Sequence, residues 1–180
     1  GLELVDYPNV FSQGRLDRGT RLLLKHLPGA QGDCVDLGCG NGALGIRLAL
    51  SNPEARVTFI DESHLAVASA RASWAANALP TDRARFVAGD GLTDEAARSA
   101  DLILCNPPFH QGQAVGDQVA WQMFTQARTA LRPGGTLLVV GNRHLGYHVK
   151  LARLFGDVAT VGSDAKFVVF AARKSGDAES

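Results

Sequence analysis

Short, continuous apolar runs recur along the chain: Cys34-Val-Asp-Leu-Gly38, Arg56-Val-Thr-Phe-Ile-Asp61, Arg85-Phe-Val-Ala-Gly-Asp90, Asp101-Leu-Ile-Leu-Cys105, Thr136-Leu-Leu-Val-Val140, Val158–Val161 and Lys166–Ala172. Runs of this length predict strands; Cys34–Gly38 reads as a buried one, and Leu102–Leu104 as a strand buried on both faces. Between them the apolar spacing turns helical. Leu16–Leu27 reads as a helix with Asp17 as its N-cap, ended by Pro28-Gly29. A second helix follows the glycine-rich stretch and runs to about Leu50. A third starts from Ser63, with Leu65, Ala68, Ala72 and Ala76 at helical spacing. A short helix is predicted around Asp94–Arg98. From about Val115 to Leu131 an apolar face is formed by Ala120, Met123, Phe124, Ala127 and Leu131, stopped by Pro133-Gly134-Gly135. Leu145, Val149 and Ala152 mark a last helix ending near Gly156, and the final two strands form an antiparallel pair joined around Gly162–Asp164.

Strands alternating with helices predict an α/β fold with a parallel sheet covered on both faces. Right-handed crossovers then leave little but a doubly wound sheet. In such sheets ligands sit beyond the carboxyl ends of the strands, where strand order reverses. Asp36 with Gly38, Asp61, Asp90 and Asn106 lie at the carboxyl ends of successive predicted strands. Four polar strand ends converging on one rim point to a site rather than to scaffold.

The totals narrow the setting. A length of 180 residues fits one domain, expected over 1–173, followed by a polar tail from 174 to 180 expected to be disordered. The first fourteen residues read as irregular, with a turn at Tyr7-Pro8-Asn9, and the missing initiator Met sets the expectation of a piece of a longer protein. A hydrophobic content of 46%, a charged content of 20% and a formal net charge of +0 describe a globular protein with no overall basic field drawing it to nucleic acid. Arg18, Arg21 and Lys25 share one stripe of the first helix, either a solvated face or a contact for an anionic partner. Cys34, Cys39 and Cys105 form no CxxC pair and read as reduced thiols of a cytoplasmic protein. His144 and His148 have the spacing of a helical metal pair but lack an acidic or Cys partner, so no metal is expected. No apolar run approaches the roughly 20 residues of a membrane helix. Trp74 and Trp121 read as packing residues on helices.

The glycine loop admits two ligands. Gly40-x-Gly42-x-x-Gly45 fits the dinucleotide fingerprint, with Asp61 about 20 residues on as the ribose acid. The same loop also reads Asp36-x-Gly38-x-Gly40-x-Gly42, with an acid at the strand end itself. An acid there suits a cationic, amino-acid-like group better than a pyrophosphate. S-adenosylmethionine carries such a group, an adenosine and no phosphate. On this reading Gly38, Gly40 and Asn41 approach it with their backbone, Asp36 contacts its methionine part through water, Asp61 accepts from the ribose hydroxyls and Asp90 from the adenine amine, and Asn106 is counted with them as a cofactor-binding residue. The strand Asp101–Cys105 stops at Asn106-Pro107-Pro108-Phe109, a stiff loop carrying one amide and one aromatic ring.

Asp36-Leu-Gly-Cys-Gly-Asn-Gly42 followed by Asn106-Pro-Pro-Phe109 resembles class I S-adenosylmethionine-dependent methyltransferases that act on amines. Val10-Phe-Ser-Gln-Gly-Arg-Leu-Asp-Arg-Gly-Thr-Arg21, Asn106-Pro-Pro-Phe-His-Gln111 and Asn142-Arg-His-Leu145 narrow the likeness. From about Val5 to Arg173 the chain resembles the catalytic half of bacterial ribosomal RNA guanine-N2 methyltransferases of the RsmC/RlmG type, the large-subunit enzyme being nearer. The resemblance implies a Rossmann-like seven-stranded sheet of order 3-2-1-4-5-7-6 with the seventh strand antiparallel. It implies ribosomal RNA or a ribosomal subunit as partner, and an amino-terminal methyltransferase-like domain that this chain lacks.

The chemistry so implied is specific. A guanine amine is a poor nucleophile because its lone pair is delocalised into the ring. The Asn106 amide oxygen and the Pro107 carbonyl accept its two N–H groups, free the lone pair, and position it for in-line transfer. Phe109 stacks on the base, with Pro108 and His110 as further substrate contacts; Phe11, Ser12 and Asp17 are expected over the cofactor or substrate. The loop alone does not separate guanine N2 from adenine N6 or a protein glutamine, nor a large-subunit from a small-subunit substrate. A nicotinamide oxidoreductase using Gly40–Gly45, and a cofactor-binding module inactive by itself, are the other readings.

Overall fold

A computed structural model describes residues 1–7, 16–93, 96–108 and 112–176. Seven strands form one sheet of order β3-β2-β1-β4-β5-β7-β6. These are β1 (Gly32–Leu37), β2 (Ala55–Asp61), β3 (Ala84–Ala88), β4 (Ala100–Cys105), β5 (Leu131–Asn142), β6 (Asp157–Ser163) and β7 (Phe167–Arg173). The pairs β1–β2, β1–β4, β2–β3 and β4–β5 are parallel. The pairs β5–β7 and β6–β7 are antiparallel. This is the expected α/β order, with β7 reversed. Because β4 lies beside β1, strand order reverses between them, and the carboxyl ends of β1 and β4 open onto the same rim.

The pleat divides the apolar residues between two cores. Cys34, Val57, Phe59, Leu102 and Leu104 pack under α1 (Arg18–Leu24), α2 (Ala43–Ser51) and α3 (His64–Ala76). Val35, Leu37, Ile103 and Cys105 pack under α4 (Gln113–Ala130) and α5 (Tyr147–Phe155). Cys39 and Cys105 therefore belong to cores on opposite faces of the sheet, although they stand at neighbouring strand ends. All three cysteines are buried free thiols, and burial pushes Cys34 up to about 12 and the other two higher. Trp74 is buried and donates to the Pro80 carbonyl at 3.1 Å, while Trp121 is 37% exposed with the Arg153 guanidinium 5.5 Å over its ring.

Two helix faces differ from the expected ones. In α3 the residues turned inward are Ala66, Val67, Ser69, Ala70, Ser73 and Trp74, while Leu65 is 45% exposed and Ala68 and Ala76 face solvent. The N-terminal segment covers this face. The Ser69 hydroxyl donates to the Val5 carbonyl and the Val5 N–H donates to Ser73 Oγ at 2.8 Å. In α5 the inward stripe is Tyr147, Leu151 and Phe155, with Val149 54% exposed. Leu145 lies in a separate 3₁₀ turn, because Gly146 between the two takes a left-handed conformation (φ 64°). His144 and His148 are divided by the same break and do not share a helix. The strand β5 also begins earlier than expected, directly after α4 at Leu131. The turn at Tyr7-Pro8-Asn9, the short helix around Asp94–Arg98 and the polar tail each extend outside the described residues.

Candidate active site

A cavity of about 480 Å³ opens at the carboxyl ends of β1, β2, β3 and β4, within the range of nucleoside-sized ligand sites. Gly38 and Gly40 form its floor, Asp61 and Ser63 one wall, Asp90 and Gly91 another, and Asn106 and Pro108 its far edge. The helix α4 closes it with Val119, Gln122, Met123 and Gln126. Beside it lies a smaller recess of about 30 Å³, lined among others by Asp17, Thr20, Asp36 and Asn41. Gly38, Gly40 and Asn106 border both spaces.

The loop after β1 is held from β2. The N–H groups of Gly38 and Cys39 donate to the Ile60 carbonyl at 2.8 and 2.9 Å. The Gly40 N–H donates to Asp61 Oδ2 at 3.0 Å, with φ at +52°, a conformation that favours glycine. Gly45, in the first turns of α2, admits no larger residue: a Cβ there would lie 2.5 Å from the Phe59 ring. The three glycines of the fingerprint thus serve loop geometry and close helix–strand packing.

Asp61 is the last residue of β2, and its half-buried carboxylate reaches the cavity. Its Oδ1 accepts from the Ser63 N–H at 2.9 Å, so one carboxylate fixes both the glycine loop and the start of α3. Asp90 is exposed at the cavity edge. Gln126 Nε2 donates to its backbone carbonyl at 3.5 Å, while Gln126 Oε1 is buried with no partner among the described residues. That orphan acceptor sits in a cavity wall, where an N–H of a ligand would satisfy it.

Asp36 stands elsewhere than its strand-end position suggested. It is 1% exposed, does not line the larger cavity, and accepts from the Gly45 N–H through Oδ2 at 2.9 Å. Burial pushes its carboxyl up to about 7, with a smaller contribution from Asp61. It borders only the recess. Asn41 is likewise buried there; its amide donates to Asp6 Oδ1 at 2.9 Å and accepts from the Ala43 N–H at 3.2 Å.

Asn106 leaves the end of β4 half-buried, followed by a buried Pro107 and an exposed Pro108. The Asn106 amide nitrogen is engaged by α1. Nδ2 donates to Thr20 Oγ1 at 3.0 Å and approaches Asp17 Oδ1 and Oδ2 at 3.2 and 3.4 Å. Asp17 is the expected N-cap, accepting from the Thr20 N–H at 3.0 Å. Phe109, His110, Phe11 and Ser12 lie outside the described residues. The position missed from sequence is Thr20, which only the docking of α1 against β4 brings to Asn106.

The chemistry of the donor set discriminates between ligands. Among the described residues, those lining the larger cavity include three acids, Asp61, Glu62 and Asp90, and no Lys, Arg or His. Such walls disfavour a pyrophosphate and suit a ligand with hydroxyls, an amine and positive charge. The residues present therefore fit S-adenosylmethionine and fit a nicotinamide dinucleotide poorly. Among the described residues no group of three or more His, Cys, Asp or Glu is placed to hold a metal ion, and no helix is long and apolar enough to cross a membrane.

Comparison with known proteins agrees with this geometry. The methyltransferase small domain family matches residues 1–171. Ribosomal RNA large subunit methyltransferase G of Ectopseudomonas mendocina (strain ymp) is 57% identical over 175 residues, covering 96% of this chain and 46% of that protein. The protein of the same name from Shewanella amazonensis is 52% identical over 176 residues, covering 97% and 46%. Among solved structures, the T. thermophilus 16S rRNA N2 methyltransferase RsmC in complex with AdoMet and guanosine superposes with a TM-score of 0.81 at 35% identity, covering 94% of this chain and 46% of that one. The chain thus spans just under half the length of these relatives. A match across residues 1–171, joined by relatives above half identity over nearly the whole chain, settles the affiliation: the chain belongs to the methyltransferase small domain family.

Proposed function

We propose that this chain is the S-adenosylmethionine-binding, catalytic segment of a ribosomal RNA methyltransferase, acting on the exocyclic N2 amine of a guanine in large-subunit RNA. The observation that carries the reading is Asn106. It borders a nucleoside-sized cavity with no Lys, Arg or His among the described lining residues, and its nitrogen end is already engaged by α1, so its oxygen is the end left to accept from an amine. The names of the relatives support a large-subunit RNA substrate, and the guanosine in the RsmC complex supports the base.

In this reading Gly38, Gly40 and Asn41 hold the cofactor through the loop, Asp61 through its ribose hydroxyls, Asp90 through its adenine amine, and Asp36 from the recess. Bound there, the cofactor supplies an electrophilic methyl group on a sulfonium. The chain's own residues do the rest. The Asn106 amide oxygen and the Pro107 carbonyl accept the two amine N–H groups and localise the lone pair on nitrogen. The same two acceptors stabilise the positive charge that grows on nitrogen as the new bond forms. No base acts before transfer; the amine sheds its proton afterwards. Phe109 stacks on the base, and Pro108 and His110 flank it. Exposed Arg21 and Lys25 on α1 offer contacts to an RNA backbone, and a second, amino-terminal methyltransferase-like domain would add RNA affinity in a longer protein.

Calorimetric or fluorescence melting separates this reading from the dinucleotide one. S-adenosylhomocysteine at about 100 times its dissociation constant adds about 2.7 kcal/mol to stability, which is a rise of about 5–10 °C in melting temperature for a chain of this size. NAD at the same concentration is expected to give none. The reverse order would overturn the proposal.

A further inference from the structure

We infer that Asp17 and Thr20 are positioning residues that decide which end of the Asn106 amide faces the substrate. The inference rests on the reading of Asn106 as amine acceptor given above. A primary amide presents a donor at one end and an acceptor at the other, and the two have nearly the same shape. An Asn106 turned the wrong way would point N–H groups at an amine that itself offers N–H groups, and no methyl acceptor would be held.

The first turn of α1 removes that alternative. Thr20 is only 8% exposed, and its hydroxyl donates to Asp17 Oδ2 at 2.7 Å. Its one proton is engaged, so Oγ1 turns only lone pairs toward Asn106 Nδ2 at 3.0 Å. The Asp17 carboxylate contributes two more acceptor oxygens at 3.2 and 3.4 Å. A reversed amide would set its oxygen against three oxygens with no proton between them. Only one orientation is satisfied, and it leaves Oδ1 for the cavity. The carboxylate contact also draws electron density through the amide toward Oδ1, which strengthens it as an acceptor. Gly19 sits against this group, where a Cβ would lie 3.2 Å from Asp17 Oδ1 and 3.5 Å from Asn106 Nδ2. The helix cap and the catalytic amide are thus one hydrogen-bonded unit, although Asn106 is 86 residues from Thr20.

The test uses three substitutions, with turnover on unmodified large-subunit ribosomal RNA and S-adenosylhomocysteine affinity as readouts. Thr20→Val keeps the shape and loses the hydroxyl; it should lower kcat about tenfold while cofactor affinity stays within about twofold. Thr20→Ser restores the hydroxyl and should bring kcat back to within about threefold. Asp17→Asn keeps an oxygen for the Thr20 N–H but offers a donor to Asn106, so the reversed amide becomes tolerable; kcat should fall about tenfold or more. A role confined to capping α1 would lower the melting temperature and leave kcat unchanged in folded protein. Normal kcat in both Thr20→Val and Asp17→Asn overturns the inference. If Asn106→Ala also keeps full turnover, the acceptor reading beneath it falls as well.

Discussion

Replacing Asn106 with alanine is expected to lower the rate of methyl transfer by about 10²–10³-fold, with cofactor affinity within about twofold of the parent. The size follows from where charge appears. In the ground state the guanine amine is nearly planar and neutral. In the transition state its nitrogen is tetrahedral and carries growing positive charge. An acceptor that touches the N–H groups is therefore stronger in the transition state than before it, and only such an interaction raises kcat. The substitution removes one of two acceptors from a site partly shielded from water. It leaves the proposed cofactor contacts at Gly40, Asp61 and Asp90 in place at the ends of other strands. Single-turnover kinetics on unmodified ribosomal RNA, beside calorimetry with S-adenosylhomocysteine, separates the two effects. Turnover within a few-fold of the parent would remove Asn106 from the chemistry. Loss of cofactor binding in step with turnover would make it a cofactor residue instead.

Phe59→Ala is expected to carry the largest cost in stability, about 3–5 kcal/mol. Phe59 is 0% exposed at the centre of one core. Its ring stacks on Phe86 at 5.1 Å and 9° and meets Trp74 edge-on at 5.7 Å. Gly45 of α2 packs directly against it, closer than any side chain would allow. Deleting the ring therefore leaves a cavity beneath α2, the helix that follows the glycine loop. Urea denaturation should show a lower midpoint, and the melting temperature should fall by about 6–20 °C. Cofactor affinity should fall too, since the loop 38–42 depends on that packing. A loss below about 1 kcal/mol would mean that this cluster does not hold the helix to the sheet. The Asn106 variant, by contrast, should lose only about 1 kcal/mol, the hydrogen bonds its amide makes to Thr20 and Asp17.

Much of this architecture is legible in the sequence for a definite reason. Strands buried on both faces, such as β1 and β4, must be continuous apolar runs, whereas the edge strands β3 and β6 are exposed at several positions; each run is closed by a polar or glycine residue, so both the strands and their rim ends stand out. The order of β7 and β6 follows from the resemblance carried by the glycine loop and Asn-Pro-Pro motif. Helix faces are less legible where the residues carry little contrast. The inward residues of α3 include Ser69 and Ser73, which are buried only because the backbone at Val5 satisfies them. No periodicity of apolar residues reports a partner from another part of the chain. In α5 the error lay in phase: Gly146 starts the helix anew, and the inward stripe is set from Tyr147.

The site divides in the same way. Asp61 ends its strand and points to the cavity as expected. Asp36 sits one residue before the end of β1, and the pleat turns it toward α2, where the Gly45 N–H meets it. The identity of the residue was visible, and its face was not. Thr20 gave no signal of its own. It follows Asp17 by three residues, a spacing that marks a helix cap, and nothing local shows that the cap also holds the amide of a distant strand end.

The most direct measurement is nucleoside mapping after transfer of labelled methyl from S-adenosylmethionine. The chain is incubated with large-subunit ribosomal RNA lacking the modification, and the RNA is digested and resolved by mass spectrometry. Label is expected in N2-methylguanosine, at a single site, and absent with Asn106→Ala. Label in N6-methyladenosine or in ribosomal protein, with guanosine unmodified, would contradict the guanine-N2 reading.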